Sequence, residues 1–143
     1  MCIRDSLRTA LLFGFGLSHS KNHFKKMFND LKHNIPVKLF VDQFRTPLSL
    51  KEAARIIDEL LSKEIKSEAI NFGGTERISR YQLGEKVCEL TGLNKNLLTK
   101  ITMDDVPELA KVEDVSMNTD KLKSYGIKQK KLDEMILETL NNN

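Results

Sequence analysis

Along the chain, short continuous hydrophobic runs alternate with segments in which hydrophobic positions recur at helical spacing. This alternation predicts an α/β fold. Short continuous apolar runs are typical of strands buried in a parallel sheet. Three such runs are present, at 7–13, 37–41 and 69–72. After each run, apolar positions recur three and four residues apart, which predicts amphipathic helices. These helices are expected at 20–34, 49–61 and 79–91.

The ends of two helices are marked by polar residues. Ser49 with Glu52, and Ser79 with Gln82, have the spacing of capping boxes, in which each side chain bonds to the other residue's backbone amide. Gly92 is placed to end the third helix. Beyond it the pattern is weaker. It predicts extended segments at 97–101 and 115–117, a short helix capped by Asn118 or Thr119, and a last amphipathic helix at 131–140.

Composition narrows the class of protein. With 143 residues, 40% hydrophobic and 30% charged, the chain is expected to form one soluble globular domain. A formal net charge of +3 is too small a bias to predict a nucleic-acid partner. No apolar run approaches the ~20 residues of a membrane-spanning helix, so no membrane partner is expected. Cys2 and Cys88 share no metal-ligand spacing with the histidines, which predicts neither disulfide nor metal site and favours the reducing cytoplasm.

The most informative loop follows the second predicted strand, at 42–47, where the sequence reads DQFRTP. Ligands of open α/β sheets bind outside the carboxyl ends of the strands. Arg45 can present a planar fork of donors to a phosphate or diphosphate. The alternative is an ion pair between Arg45 and Asp42, and the bare sequence leaves both open.

Two further arginines flank the start of the third helix. Arg77 and Arg80 could contact a phosphate there, although a solvated helix face is the favoured interpretation. We also expect an exposed apolar patch near the start of the chain. Its members are Leu11, Leu12, Phe13, Phe24 and Phe28.

Two motifs of nucleotide-dependent catalysis are missing. Gly14 and Gly16 are not followed by the third glycine of a G-x-G-x-x-G loop. Neither tyrosine has a lysine four positions later, since Tyr81 is followed there by Glu85 and Tyr125 by Gln129. The sequence therefore predicts no catalytic and no cofactor-binding residue in this chain.

Four blocks resemble, in order, the C-terminal half of the RmlD-like (dTDP-4-dehydrorhamnose reductase) branch of extended short-chain dehydrogenases. They are LRT…G at 7–14, DQFRTP…E-x-A at 42–54, NFGG…SRY at 71–81 and DVSMNTDKL at 114–122. The resemblance implies the C-terminal part of a Rossmann-like parallel sheet plus a small mixed substrate-binding lobe. It identifies 7–143 as that portion, with the NAD(P)-binding part missing upstream. Residues 1–6, MCIRDS, are expected on other grounds to be a non-native leader, because they resemble adapter sequence translated at the start of reading frames from environmental assemblies.

The resemblance also implies a function. The intact protein would reduce a nucleotide-linked 4-keto-6-deoxy sugar with NAD(P)H, as a possible homodimer, and this part alone would bind no cofactor and be inactive. Gln43, Arg45 and Lys111 are the implied substrate-binding residues, with Arg45 on the diphosphate. Lys111 stands where relatives carry arginine, so it keeps the charge without the fork. Two alternatives remain: a non-catalytic module like the regulatory subunit of methionine adenosyltransferase, and a sugar-nucleotide epimerase or dehydratase.

Overall fold

The computed structural model of the protein describes residues 5–9 and 11–142. It contains eight short strands and five α-helices within those residues. The strands are β1 (Ser6–Arg8), β2 (Leu12–Phe13), β3 (Val37–Phe40), β4 (Phe44–Arg45), β5 (Leu48–Ser49), β6 (Ala69–Asn71), β7 (Ile78–Ser79) and β8 (Leu98–Ile101). The helices are α1 (His23–Lys32), α2 (Leu50–Leu61), α3 (Arg80–Thr91), α4 (Asp120–Ser124) and α5 (Leu132–Asn141).

Parallel pairing dominates among these strands and confirms the predicted α/β class. Strand β1 pairs with β6, β2 with β5, and β3 with β8, all in parallel. The exception is β4, which lies antiparallel to β7. The β3–β8 pair joins segments about sixty residues apart, with Val37 opposite Leu98. Helix α3 packs on this pair and covers it.

The prediction of the first strand was wrong in one respect. We expected a single buried strand over 7–13, but β1 and β2 have different partners, so the chain changes neighbours between them. Each has one hydrogen-bonded neighbour among the described residues. Leu7 and Leu12 consequently remain 40% and 39% exposed. Met1–Arg4 of the predicted leader lie outside the described residues, whereas Ser6 already pairs with Ala69.

The helix caps follow the sequence closely. The Ser79 hydroxyl oxygen accepts a hydrogen bond from the Gln82 amide, and the Ser79 amide donates one to the Gln82 side-chain oxygen, so this capping box is complete. Gly92 takes the left-handed conformation at the end of α3, with φ of 73°. The other box was predicted wrongly. Ser49 accepts from the Glu52 amide, but the Glu52 carboxylate turns to Arg55.

The predicted apolar patch is largely part of the core. Phe13 and Phe24 are 2% and 3% exposed, with ring centroids 5.1 Å apart. Phe15 packs edge-on against both Phe24 and Phe28. Aromatic residues of β2 and α1 therefore cover each other. Of the expected set, only Leu12 is largely exposed.

The remainder of the core lies between the sheet pairs and helices α2, α3 and α5. Leu39, Ile56, Val87, Met135 and Ile136 are fully buried there. Cys88 is buried beside them as a free thiol, and burial raises its pKa. None of the helices in the described part of the chain is long and apolar enough to cross a membrane.

Candidate functional site

The antiparallel pair β4–β7 brings together residues that are 33 or more positions apart in sequence. Phe44 lies opposite Ser79 and Arg45 opposite Ile78. The pairing continues by one residue, because the Arg80 amide donates to the Gln43 carbonyl at 3.2 Å. Gln43 and Arg80 thus lie opposite each other. Since side chains alternate along extended backbone, Gln43, Arg45 and Arg80 share one side of the pair.

Arg45 is held by carbonyl oxygens alone. Its Nη1 donates to the Phe44 carbonyl at 2.7 Å and to that of Glu113 at 3.3 Å, and its Nη2 donates to Val112 at 3.3 Å. No carboxylate among the described residues forms a salt bridge with it. The predicted alternative, an ion pair with Asp42, is therefore wrong. The Asp42 carboxylate instead accepts from the Met103 amide at 2.9 Å.

Arg80 is held by Gln43. Its Nε donates to the Gln43 side-chain oxygen at 2.9 Å, and Gln43 itself is only 5% exposed. Burial lowers the pKa of Arg80, and the nearby charge of Arg45 lowers it further. The favoured interpretation of Arg80 as part of a solvated face was wrong. The antiparallel pairing, which the sequence pattern does not show, turns this arginine toward Gln43 and Arg45.

Arg77 occupies the opposite side of the same strand pair. Its guanidinium lies 3.8 Å from the centre of the Phe44 ring and donates to the Asp114 carboxylate at 2.7 Å. Hydrogen bonds from Ser116 and from Arg77 lower the pKa of Asp114 to about 2. Asp114 also forms a parallel bridge with Phe44. Arg77 is thus neutralised within the protein, whereas Arg45 and Arg80 are not.

The Lys111 side chain forms an ion pair of its own and contacts neither of these two arginines. Its ammonium group contacts the Asp104 carboxylate, and this hydrogen bond raises the pKa of Lys111. The backbone of the next residue, Val112, does reach Arg45 through its carbonyl. The structure therefore brings Gln43 and Arg45 together and places the Lys111 side chain on an acidic partner instead.

A cavity of about 140 Å³ lies on the Arg80 side, between β2, α1 and the start of α3. Its lining is mostly apolar, with His23 and Arg80 as the polar members. Burial lowers the pKa of His23, and the positive charges of Arg80 and Lys26 lower it further. Sequence reasoning missed His23, for which helical periodicity gave only a place at the start of α1.

The chemistry that these side chains offer is the binding of an anion. Two guanidinium groups without carboxylate partners attract an anion, and Gln43 holds one of them in place. Within residues 5–9 and 11–142, no cluster of three or more His, Cys, Asp or Glu side chains could hold a metal ion.

Solved structures with the same fold include several nucleotide-sugar enzymes. The chain is similar to the dTDP-4-dehydrorhamnose reductase of Bacillus anthracis, solved with NADP, with a TM-score of 0.81 and 16% identity over 97% of this chain and 48% of that one. The corresponding reductase ortholog of Clostridium acetobutylicum gives 0.73 and 24% identity over 96% and 48%. The dTDP-glucose 4,6-dehydratase of Bacillus anthracis, solved with NAD, gives 0.76 and 17% identity over 96% and 43%.

These similarities confirm the Rossmann-like α/β fold, and the chain spans less than half the length of each of these three proteins. No curated protein matches the sequence. The model of the RmlD substrate binding domain matches residues 6–143, which begins one residue before the predicted boundary. Since this match covers almost the entire sequence, the chain belongs to the RmlD substrate binding domain family.

Proposed function

We propose that this chain is the substrate-binding half of an NAD(P)-dependent reductase of nucleotide-linked 4-keto-6-deoxy sugars, and that Arg45 binds the diphosphate of the nucleotide. The observation that carries the proposal is the environment of Arg45. Three backbone carbonyl groups orient its guanidinium, and no described carboxylate neutralises it. A fixed arginine with an unpaired charge is suited to charge-assisted contacts with phosphate oxygens.

The position of Arg45 in the sheet supports the same role. Strand β4, which contains Arg45, follows the carboxyl end of β3, where α/β proteins bind their ligands. Thr46 and Pro47, the next two residues, are buried and attach the end of β4 to the core. Arg45 is therefore presented from a strand whose end is anchored in the core. Gln43 and Lys111 remain proposed substrate contacts, with Gln43 acting through its bond to Arg80.

The proposal divides the reaction between two halves of a longer protein. The upstream half would hold NAD(P)H together with the Tyr-x-x-x-Lys pair and a Ser or Thr, and this half would bind and orient the nucleotide-sugar. We further propose a cytoplasmic protein, in keeping with the buried free thiol of Cys88, and a possible homodimer.

Two other functions use the same fold. The similarity to a dTDP-glucose 4,6-dehydratase, with a TM-score of 0.76, favours a dehydratase or epimerase as the second candidate. A non-catalytic module like the regulatory subunit of methionine adenosyltransferase is the third. The gene sequence upstream of these residues separates them, because an intact Tyr-x-x-x-Lys pair is needed by the enzymes and not by a regulatory module.

The first prediction concerns activity. The purified 143-residue chain should not oxidise NADPH or NADH in the presence of a dTDP-4-keto-6-deoxy sugar, because it has neither the proton-donor pair nor the glycine-rich loop. The measurement is the loss of absorbance of the reduced cofactor. Turnover above a protein-free control would contradict the division into two halves.

The second prediction concerns Arg45 in the complete protein. Replacing Arg45 by Ala should weaken dTDP binding by about 1.5–3 kcal/mol, because a charge-assisted contact is lost. Arg45→Lys should recover only part of the affinity, since the fork of donors is lost. Calorimetric titration of dTDP into the three proteins measures the effect.

NADPH binding is the internal control for this experiment. Its affinity should be the same in all three proteins, because the cofactor is held by the other half. Equal dTDP affinity in the three proteins would contradict the role of Arg45 and leave Lys111 and Arg80 as the candidate diphosphate contacts.

A further inference from the structure

Arg80 is the second guanidinium of the candidate site, and most of its donors are unused. Its Nε bonds to Gln43, while Nη1 and Nη2 make no hydrogen bond to any residue among 5–9 and 11–142. The fully buried side-chain nitrogen and oxygen atoms in this part of the chain all have partners except Glu138 Oε2. The two terminal nitrogens of Arg80 therefore reach accessible space, and Arg80 lines the cavity of about 140 Å³ described above.

Arg80 is also held toward Arg45 at an energetic cost. The cross-strand register makes Gln43 the direct partner of Arg80 and Arg45 its diagonal neighbour, at roughly 7–8 Å between backbones. Two like charges on one side of a strand pair destabilise each other unless an anion lies between them. Gln43 nevertheless fixes Arg80 in this arrangement instead of letting it turn to solvent.

We infer that Arg45 and Arg80 form a two-arginine clamp for one anionic group, the diphosphate of the nucleotide-sugar. This inference rests on the proposed function and assigns the second cationic contact to Arg80, where the resemblance implied Lys111. Gln43 is then a positioning residue, because it orients the Arg80 guanidinium and leaves both terminal nitrogens free.

The alternative second contact, Lys111, is less suited to this role. Its ammonium group already contacts the Asp104 carboxylate and offers a phosphate a point charge without a planar fork. Arg80 has no acidic partner among the described residues. It has four unused N–H donors in a planar fork, which matches the oxygens of a phosphate.

His23 offers a reporter that does not depend on activity. Burial, together with the nearby positive charges of Arg80 and Lys26, holds its pKa below the ordinary value of 6.5. An anion bound between the arginines would offset part of that charge. Bound pyrophosphate should therefore raise the pKa of His23, as followed by NMR of the ring protons.

The experiment compares five forms of the complete protein. They are wild type, Arg80→Met, Arg80→Lys, Lys111→Ala and Arg77→Met. Methionine keeps an apolar stem at position 80 and removes the charge. Arg77 is a matched control, because it extends from the same strand pair but is already neutralised by Asp114. The probes are inorganic pyrophosphate and dTDP, with affinities measured by calorimetry.

The expected result is specific to position 80. Arg80→Met should weaken both probes by about tenfold to a hundredfold, the typical effect of losing a charged hydrogen bond. The affinity of Arg80→Lys should fall between those of Arg80→Met and the wild type, Lys111→Ala should weaken both probes less than Arg80→Met does, and Arg77→Met should bind both probes as wild type does. The pyrophosphate-induced rise in the His23 pKa should be present in wild type and smaller in Arg80→Met.

Three results would overturn the clamp. If Arg45→Ala weakens dTDP but Arg80→Met does not, the proposed function stands and Arg80 has no part in it. If Lys111→Ala has the larger effect, the second contact is Lys111. If Arg80→Met weakens dTDP but not pyrophosphate, Arg80 contacts the nucleoside. If circular dichroism shows that Arg80→Met does not fold, the affinities of Arg80→Lys for dTDP and pyrophosphate are compared with those of the wild type instead.

Discussion

Replacing Gly74 by Ala should destabilise the protein by about 3 kcal/mol, because the new methyl group has no space. A Cβ atom at Gly74 would overlap the carbonyl oxygen of Pro47 and lie 3.0 Å from its carbonyl carbon. Both atoms belong to the backbone, so neither can move away as a side chain could. The Gly74 amide also donates to the Thr46 carbonyl at 3.0 Å, which fixes the two segments against each other.

This contact matters for function because it attaches the end of β4, which contains Arg45, to the rest of the protein. Thr46 and Pro47 follow Arg45 directly, and relief of the overlap would displace them. The midpoint of urea unfolding measures the loss of stability.

Gly92→Ala is the matched control. Its φ of 73° makes alanine strained, at about 1 kcal/mol, but no atom lies within 4 Å of the added Cβ. If Gly74→Ala loses no more stability than Gly92→Ala, then Gly74 is not packed against Pro47 as described.

The sequence predicted the parts of the fold that local periodicity controls. Helices α2 and α3 lie within about a residue of their expected bounds, and the complete Ser79–Gln82 capping box was predicted from four residues. The predictions that failed depend on partners far along the chain. The region 7–13 was divided because β1 and β2 pair with strands about 60 and 36 residues away.

At the candidate site, too, the predictions failed where a residue's partner lies far along the chain. Arg45 was identified from its place after a strand and from the family resemblance. Arg80 was placed on a solvated face, because residues at the first turn of a helix usually lie there. Its actual surroundings come from Gln43, 37 residues earlier, and no local pattern indicates that pair. The ion pair of Lys111 with Asp104, in a short 3-10 helix, was likewise not indicated by any local pattern.

A buried ion pair joins helix α2 to the segment before α5. The Glu52 side chain has no exposed surface, and Arg55 donates to both of its oxygens, at 2.7 and 2.9 Å. The Lys130 amide donates to the same carboxylate at 3.1 Å. Arg55 also reaches the Lys128 carbonyl at 2.6 Å. Burial acts to raise the pKa of Glu52, but the hydrogen bonds from Arg55 and Lys130 outweigh it and the pKa is lowered.

Replacing Arg55 by Met should therefore cost about 3 kcal/mol at pH 7, since the buried carboxylate then keeps only the Lys130 ammonium, 4.0 Å away, as a cationic partner among the described residues. We take the low end of the usual range because the Arg55 side chain is 37% exposed and partly screened by water. The measurement is urea unfolding of the 143-residue chain. Lys26→Met, which breaks the exposed pair with Asp30, is the control and should leave the midpoint nearly unchanged.

The pH dependence of this loss identifies its cause. In the wild type the pKa of Glu52 lies below its ordinary 4.5, so its contribution is complete above that value and is lost as the pH falls through the folded pKa. Without Arg55, the effect of burial is opposed only by the Lys130 amide and ammonium, so the pKa of Glu52 is higher than in the wild type. As the pH falls from 7, Glu52 is therefore protonated in the variant before it is protonated in the wild type, and the cost of its buried charge disappears. The difference in stability between the two proteins should narrow toward pH 4.

A double variant separates charge from packing. Glu52→Gln combined with Arg55→Met removes the buried charge and keeps an oxygen that can accept from the Lys130 amide. It should be more stable at pH 7 than Arg55→Met alone. If the double variant is the less stable of the two, and the gap between Arg55→Met and the wild type does not change with pH, the loss comes from packing by the arginine stem. The ion pair would then have no part in holding the C-terminal segment on α2.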